Sequence, residues 1–169
     1  HRERSWAPTE RRWIGWECKR GKLENLVQWL AEGGDSPFVD LGLLSQPVPG
    51  TPYVVTLDSD TGLPPGTLRA LVGVAAHPLN RPQVDARRRR VVSGFGLLQP
   101  RLTTPLPEPA TATLFHWLFS GRCGIDPYSA ATSEIYQDLF SEGSFVGKGL
   151  LNVHAMHTVL GRRLPEGQV

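Results

Sequence analysis

The chain has 169 residues, 40% of them hydrophobic, with 18 Lys/Arg against 16 Asp/Glu. That length suits a single domain with one sizeable core, and a net charge of +2 is too small to argue for nucleic acid as a partner. No run approaches the ~18–20 apolar residues that a membrane helix needs, and no secretory leader pattern is visible. Cys18 and Cys123 have no metal-ligand spacing and form no disulfide framework, so free thiols in a reducing compartment are expected.

The segment before Glu17 is polar but holds Trp6, Trp13 and Trp16, an aromatic content that predicts packing against the domain. Lys19-Arg20-Gly21-Lys22 then reads as a basic, glycine-broken turn ahead of an amphipathic helix. Leu23, Leu26, Val27 and Leu30 recur at i, i+3, i+4 and i+7, the spacing of one helical face. A helix start favours anions, although a basic cluster also serves as a solvated face. Residues 35–52 are rich in Gly, Pro and Ser and read as a loop.

Tyr53-Val54-Val55-Thr56-Leu57 is a β-branched run, apolar on both faces. Such strands belong in the middle of an α/β sheet, with ligands beyond their carboxyl ends, so residues 53–57 are expected to be central and buried. Asp58 and Asp60 would then stand at the mouth of a cleft. Mg²⁺ or Mn²⁺ takes one or two carboxylates and fills its shell with water and phosphate oxygens, so Asp-x-Asp here is a device for holding a nucleotide diphosphate. The alternative is a plain turn, since Asp, Ser, Thr, Gly and Pro all favour turns.

After Pro64-Pro65-Gly66, Thr67 to Ala76 carries a helical stripe of Leu68, Leu71, Val72 and Ala75, ended by Pro78 and Pro82. His77 is expected to hydrogen-bond at that helix end rather than to catalyse. Arg87 to Arg90 offers four cations without interleaved aromatics, which fits a solvated hairpin tip better than a phosphate or nucleic-acid site. Residues 91–98 read as one further strand, from which Gln99 and Arg101 would reach the cleft; a structural ion pair is the alternative for Arg101. A Pro-rich loop (103–109), a helix (112–120) and a loop with a short strand (139–151) follow. Glu142-Gly143-Ser144-Phe145-Val146-Gly147-Lys148-Gly149 permits close backbone approach to a ligand, or is a glycine-rich turn with Lys148 in water. The alternation of strands and helices predicts an α/β sandwich.

Five blocks in one order carry a family resemblance. They are Trp16-Glu17-Cys18-Lys19-Arg20-Gly21-Lys22-Leu23, Thr56-Leu57-Asp58-Ser59-Asp60-Thr61-Gly62-Leu63-Pro64-Pro65-Gly66, His77-Pro78-Leu79-Asn80-Arg81-Pro82, Gly94-Phe95-Gly96-Leu97-Leu98-Gln99-Pro100-Arg101, and the stretch from Gly124-Ile125-Asp126-Pro127-Tyr128 through Ile135-Tyr136-Gln137-Asp138-Leu139-Phe140 to Gly149. The Lys-x-Gly-x-Leu helix start followed by strand–Asp-x-Asp resembles processive inverting glycosyltransferases such as cellulose synthases. The full succession resembles the glycosyltransferase domain of cyclic β-1,2-glucan synthases, from about Trp6 to the carboxyl end.

That resemblance implies the central part of a GT-A-like nucleotide-sugar transferase fold, a mixed, mostly parallel sheet flanked by helices. It implies a glucosyltransferase that moves glucose from UDP-glucose to a growing β-1,2-glucan, with metal and with inversion, inside a larger membrane enzyme at the cytoplasmic face of the bacterial inner membrane. Lys19, Asp58, Gln99, Arg101 and Lys148 are then donor-binding candidates, and Asp58 and Asp60 the ligands of Mg²⁺ or Mn²⁺. Residues 1–169 would form one domain lacking its first strand and its C-terminal acidic motif, with the general base beyond Val169. Asn152 and His154 stand where the family pattern has aspartates. The alternative is a catalytically incomplete module that binds nucleotide sugar or a partner surface.

Overall fold

In a computed structural model, residues 1–15, 18–48, 50–100, 109–110, 112–119, 139, 145 and 147–161 are described. They fall into two compact units, His1–Leu98 with Gly149–Val169, and Gln99–Lys148. The first unit begins with a hairpin of β1 (Ser5–Ala7) and β2 (Arg12–Ile14). Helix α1 (Cys18–Glu32) follows, then β3 (Tyr53–Thr56), α2 (Thr67–Ala76), β4 (Gln83–Asp85), β5 (Arg90–Ser93) and β6 (Leu97–Leu98). In the second unit, α3 (Leu114–Phe119) is a short helix at whose start Thr113 and His116 bond each other's backbone and side chains. The first unit closes with β7 (Gly149–Asn152) and α4 (Val153–Leu160).

The sheet at the centre of the first unit corrects two expectations. Its order is β3-β7-β6, and both pairings are antiparallel, so the mostly parallel sheet is not observed among the described residues. Among the described residues the run at 53–57 is also not central: β3 pairs on one side, with β7, and Leu57 is exposed. An apolar stretch reports burial but not strand direction, and here the partner of β3 lies about ninety residues downstream. The middle place belongs to β7, in which Leu150 and Leu151 are each 1% exposed. Adjacent residues point to opposite faces, so burial of both leucines means that β7 is covered on both sides. Its register sets Val54 and Leu97 against Leu151, and Val55 and Leu98 against Leu150.

Helices α2 and α4 pack on β7, and α1 packs on α4. The stripes predicted for α1 and α2 turn inward at Val27 and Ala75, both buried, while Leu68 stays exposed. Burying two leucine side chains is worth roughly 3–6 kcal/mol of transfer free energy. Among the described residues the most deeply buried large side chains are thus in β7, the strand next to β3.

Residues 91–98 are not one strand. Gly94 turns with φ 72°, and a Cβ built there would lie 2.1 Å from the Arg81 carbonyl oxygen. Only glycine accepts that turn and that approach. The chain therefore divides into β5, paired with β4, and β6, paired with β7. The basic start of α1 differs as well. Gly21 does not break a turn but lies buried inside the helix, with Lys19, Arg20 and Lys22 in its first turns. As expected, His77 follows α2 as a hydrogen-bonding residue, its Nδ1 accepting from the Leu79 N–H at 3.3 Å.

Candidate functional site

Two elements far apart in sequence meet at the end of β3. In the first turn of α1 the Cys18 N–H donates back to the Gly15 carbonyl at 3.0 Å. Cys18 itself holds φ 46°, a left-handed conformation that costs a non-glycine residue on the order of 1 kcal/mol. Arg2 secures this turn: one guanidinium nitrogen donates to the Cys18 carbonyl at 3.0 Å and another to Asn25 Oδ1 at 2.6 Å. Partial burial pushes the Arg2 guanidinium below its ordinary pKa, and the neighbouring Cys18 pulls it back in part; an arginine remains charged regardless. A single cation therefore fixes the direction in which α1 starts, and with it the position of Lys19.

The other side is the carboxyl end of β3. Thr56 is buried, and its hydroxyl donates to the Gly149 carbonyl at 3.3 Å, holding the strand end to β7. Asp58 opens a turn closed by the Thr61 N–H donating to the Asp58 carbonyl at 3.0 Å. Asp60 is exposed on that turn, with the Thr61 hydroxyl 3.4 Å from its Oδ1. The turn expected of Asp, Ser and Thr thus forms, and it presents two carboxylates.

Lys19 Nζ donates to Asp58 Oδ1 across 39 residues of sequence. The lysine side chain keeps 43% of its exposure and the aspartate 38%, so the pair sits at a wet surface where such contacts contribute roughly 0–1 kcal/mol to stability. A pair of so little structural value leaves both groups available to a stronger partner. Asp58 and Asp60 supply hard oxygen donors from one short turn, a set that suits Mg²⁺ or Mn²⁺ with water and phosphate completing the shell. Among the described residues no group of three or more His, Cys, Asp or Glu gathers as a metal cage.

Gln99, exposed, and Lys148, half-buried, stand at the two ends of the second unit; Arg101 and Cys123 lie outside the described residues. Cys18 is free and exposed. Asn152 serves as the N-cap of α4, its Oδ1 accepting from the Ala155 N–H at 2.9 Å. A capping position accepts Asn and Asp alike, which accounts for an asparagine where the family pattern has an aspartate. His154 is exposed.

Two contacts carried no sequence signal. One is the anchoring of Cys18 by Arg2, and the other is Arg89, whose guanidinium donates to the carbonyls of Thr158 at 3.3 Å and Gly161 at 2.6 Å. Beside α1 lies a cavity of about 430 Å³ lined by Arg2, Glu3, Ser5, Asn25, Ser36, Pro37 and Phe38. No described helix is long and apolar enough to cross a membrane.

No protein-family model matches the chain. Over all 169 of its residues it is 44% identical to the cyclic beta-(1,2)-glucan synthase NdvB of Rhizobium meliloti (strain 1021), spanning 6% of that protein's length. Identity at this level along the entire chain supports kinship with a stretch of the cyclic β-(1,2)-glucan synthases.

Proposed function

We propose that this chain is part of a glucosyltransferase that extends a β-1,2-glucan from UDP-glucose by a metal-dependent, inverting transfer. It would do so within a larger membrane enzyme at the cytoplasmic face of the bacterial inner membrane. The observation that carries the reading is the Lys19–Asp58 contact, which joins a basic helix start to a carboxylate-bearing strand end. The 44% identity to a cyclic β-(1,2)-glucan synthase supports it from a separate direction.

In this reading Lys19 binds the donor diphosphate as a compact cation, assisted by the amide groups at the start of α1. Asp58 and Asp60 hold Mg²⁺ or Mn²⁺ against the same diphosphate. When bound, the cation supplies charge stabilisation to the departing nucleoside diphosphate. Arg2 positions Lys19 through the Cys18 turn, and Thr56 fixes the strand end that carries the two carboxylates. Gln99, Arg101 and Lys148 are further donor-side candidates from the second unit. The general base that takes the acceptor hydroxyl proton must come within hydrogen-bond reach of it.

The test is transfer of labelled glucose from UDP-glucose by the full-length protein, with and without a chelator. Product that disappears on chelation and returns with Mn²⁺ supports the reading. Metal-dependent UDP binding with no product would favour a nucleotide-sugar-binding module instead, and full activity under chelation would remove the role of the two aspartates.

A further inference from the structure

The Lys19–Asp58 pair has a consequence for the order in which ligands are held, resting on the donor-site reading above. Asp58 is both a proposed metal ligand and the acceptor of the lysine's hydrogen bond. Lys19 on Oδ1 takes one acceptor site of that carboxylate, and its positive charge opposes a divalent cation approaching the same group, so ammonium and metal compete for Asp58. The lysine is also the group placed to meet the diphosphate. We propose that Lys19 is a latch on Asp58: it occupies the carboxylate in the empty site, and a nucleoside diphosphate draws it away, freeing Asp58 for the metal.

Three observations on the molecule support a movable latch rather than a fixed strut. The pair is substantially exposed on both sides, so breaking it costs little. Lys19 sits on a long, flexible stem in the first turn of a helix whose backbone is held independently, by Arg2 on the Cys18 carbonyl. Asp58 sits on a turn closed by its own backbone bond to Thr61, so neither backbone must move when the side chains part. The exchange is one of non-covalent partners: lysine leaves one anion for another, and the metal takes the oxygen that it vacated.

Linkage gives the measurable form. If the diphosphate removes a competitor of the metal, each ligand tightens the other by the same factor, and Lys19 supplies part of that factor. Mn²⁺ binding to the full-length protein is followed by electron paramagnetic resonance, alone and with saturating UDP, with the signal lost in Asp60→Asn assigned to this site. For Lys19→Gln the expected result is that Mn²⁺ alone binds about 2–5-fold tighter, the worth of an exposed ion pair. The factor by which UDP tightens Mn²⁺ should fall by a similar amount. Lys19→Arg, which keeps a cation on the carboxylate, should retain the wild-type factor.

If Lys19 merely repelled the metal through space, without moving, Lys19→Gln would raise Mn²⁺ affinity equally with and without UDP and leave the factor unchanged; that result overturns the latch. Weaker binding of Mn²⁺ alone in Lys19→Gln overturns it too. If neither protein binds Mn²⁺ even with UDP, the metal-site reading falls and the latch with it, whereas a normal wild-type site with an unaltered factor sinks the latch alone.

Discussion

At the start of α1, Lys19 reaches a carboxylate on an exposed turn; at the tip of the β4–β5 hairpin, Arg89 reaches two carbonyls at the end of α4. Both belong to basic runs of similar length in the same unit, and composition does not tell them apart. Their acceptors do. The carbonyls of Thr158 and Gly161 are among the terminal groups that a helix leaves without intrahelical partners, so a cation there stabilises the fold and has nowhere better to go. Asp85 holds the rest of that tip, its Oδ1 accepting from the backbones of Arg87 and Arg88 at 3.0 Å each. A carboxylate beside a second carboxylate, by contrast, gives its lysine a reason to be displaced. On the proposed reading the first cluster is built for exchange and the second for permanence.

The strongest way to break this comparison is through the neighbour that gives the lysine site its purpose. Asp60→Asn in the full-length protein should lower glucose transfer by about 100-fold or more, since even supporting contacts of a metal site are worth 10–100-fold. It should also abolish the Mn²⁺–UDP stabilisation, about 2.7 kcal/mol at a hundredfold excess over the dissociation constant. Unfolding without ligand should shift by no more than about 0.5 kcal/mol, as for other exposed positions. Full transfer activity in this variant would leave the two basic clusters equivalent.

How much of this was legible beforehand depends on whether each feature is local. The inward stripe of α1, the whole of α2, the hairpin tip at the arginine run and the helix-end role of His77 follow from spacing and turn chemistry within a few residues. The sheet does not. Tyr53 to Thr56 has the composition of a buried central strand, yet among the described residues Gly149-Leu150-Leu151-Asn152 took that place, in a region expected to hold only a loop and a short strand. Its central place is set by β3 and β6 on either side of it, which no local pattern reports. Gly94 was a readable warning, since an isolated glycine within a strand pattern marks a bend. Lys19 and Asp58 entered as candidates on separate motifs, and their contact is a property of the folded chain. Nothing near Arg2 or Arg89 announces their tasks, because the acceptors described for them, apart from Asn25 Oδ1, are backbone carbonyls, identical in every residue.

A second substitution isolates the cation itself. Lys19→Ala should weaken UDP binding at saturating Mn²⁺ by about tenfold, equivalent to 1.4 kcal/mol, within the range of a hydrogen bond to a charged group. Its effect on unfolding without ligand should stay within the ~0–1 kcal/mol of an exposed pair. Arg89→Ala should do the reverse. Losing a cation and two bonds at a helix C-terminus should cost about 1 kcal/mol in denaturant unfolding, while UDP affinity stays within twofold. If Lys19→Ala destabilised the fold as much as Arg89→Ala and left UDP binding alone, the assignment of exchange and permanence would be reversed.

The smallest expected effect asks whether the two regions communicate. Helix α1 carries Lys19 at one end and Glu32 at the other, and Glu32 Oε1 lies 2.9 Å from His157 Nε2 on α4, the helix that Arg89 caps. A carboxylate at a helix C-terminus meets the negative end of the macrodipole, which opposes it by a few tenths of a kcal/mol. Its contacts with His157 and with Gln28 Nε2 at 2.9 Å offset that cost. Glu32→Gln removes both the repulsion and the charge on the pair, so the two changes largely cancel, and unfolding should shift by about 0.5 kcal/mol or less. The helix between the two ends is regular and packs along α4, so it would transmit a displacement as a rigid rod rather than absorb it. UDP affinity in Glu32→Gln should nonetheless match wild type within twofold, because Lys19 is positioned locally, by Arg2 on the Cys18 carbonyl. A tenfold change in UDP affinity would mean that α1 moves as a lever between α4 and the strand end, and that the two basic clusters act on one another.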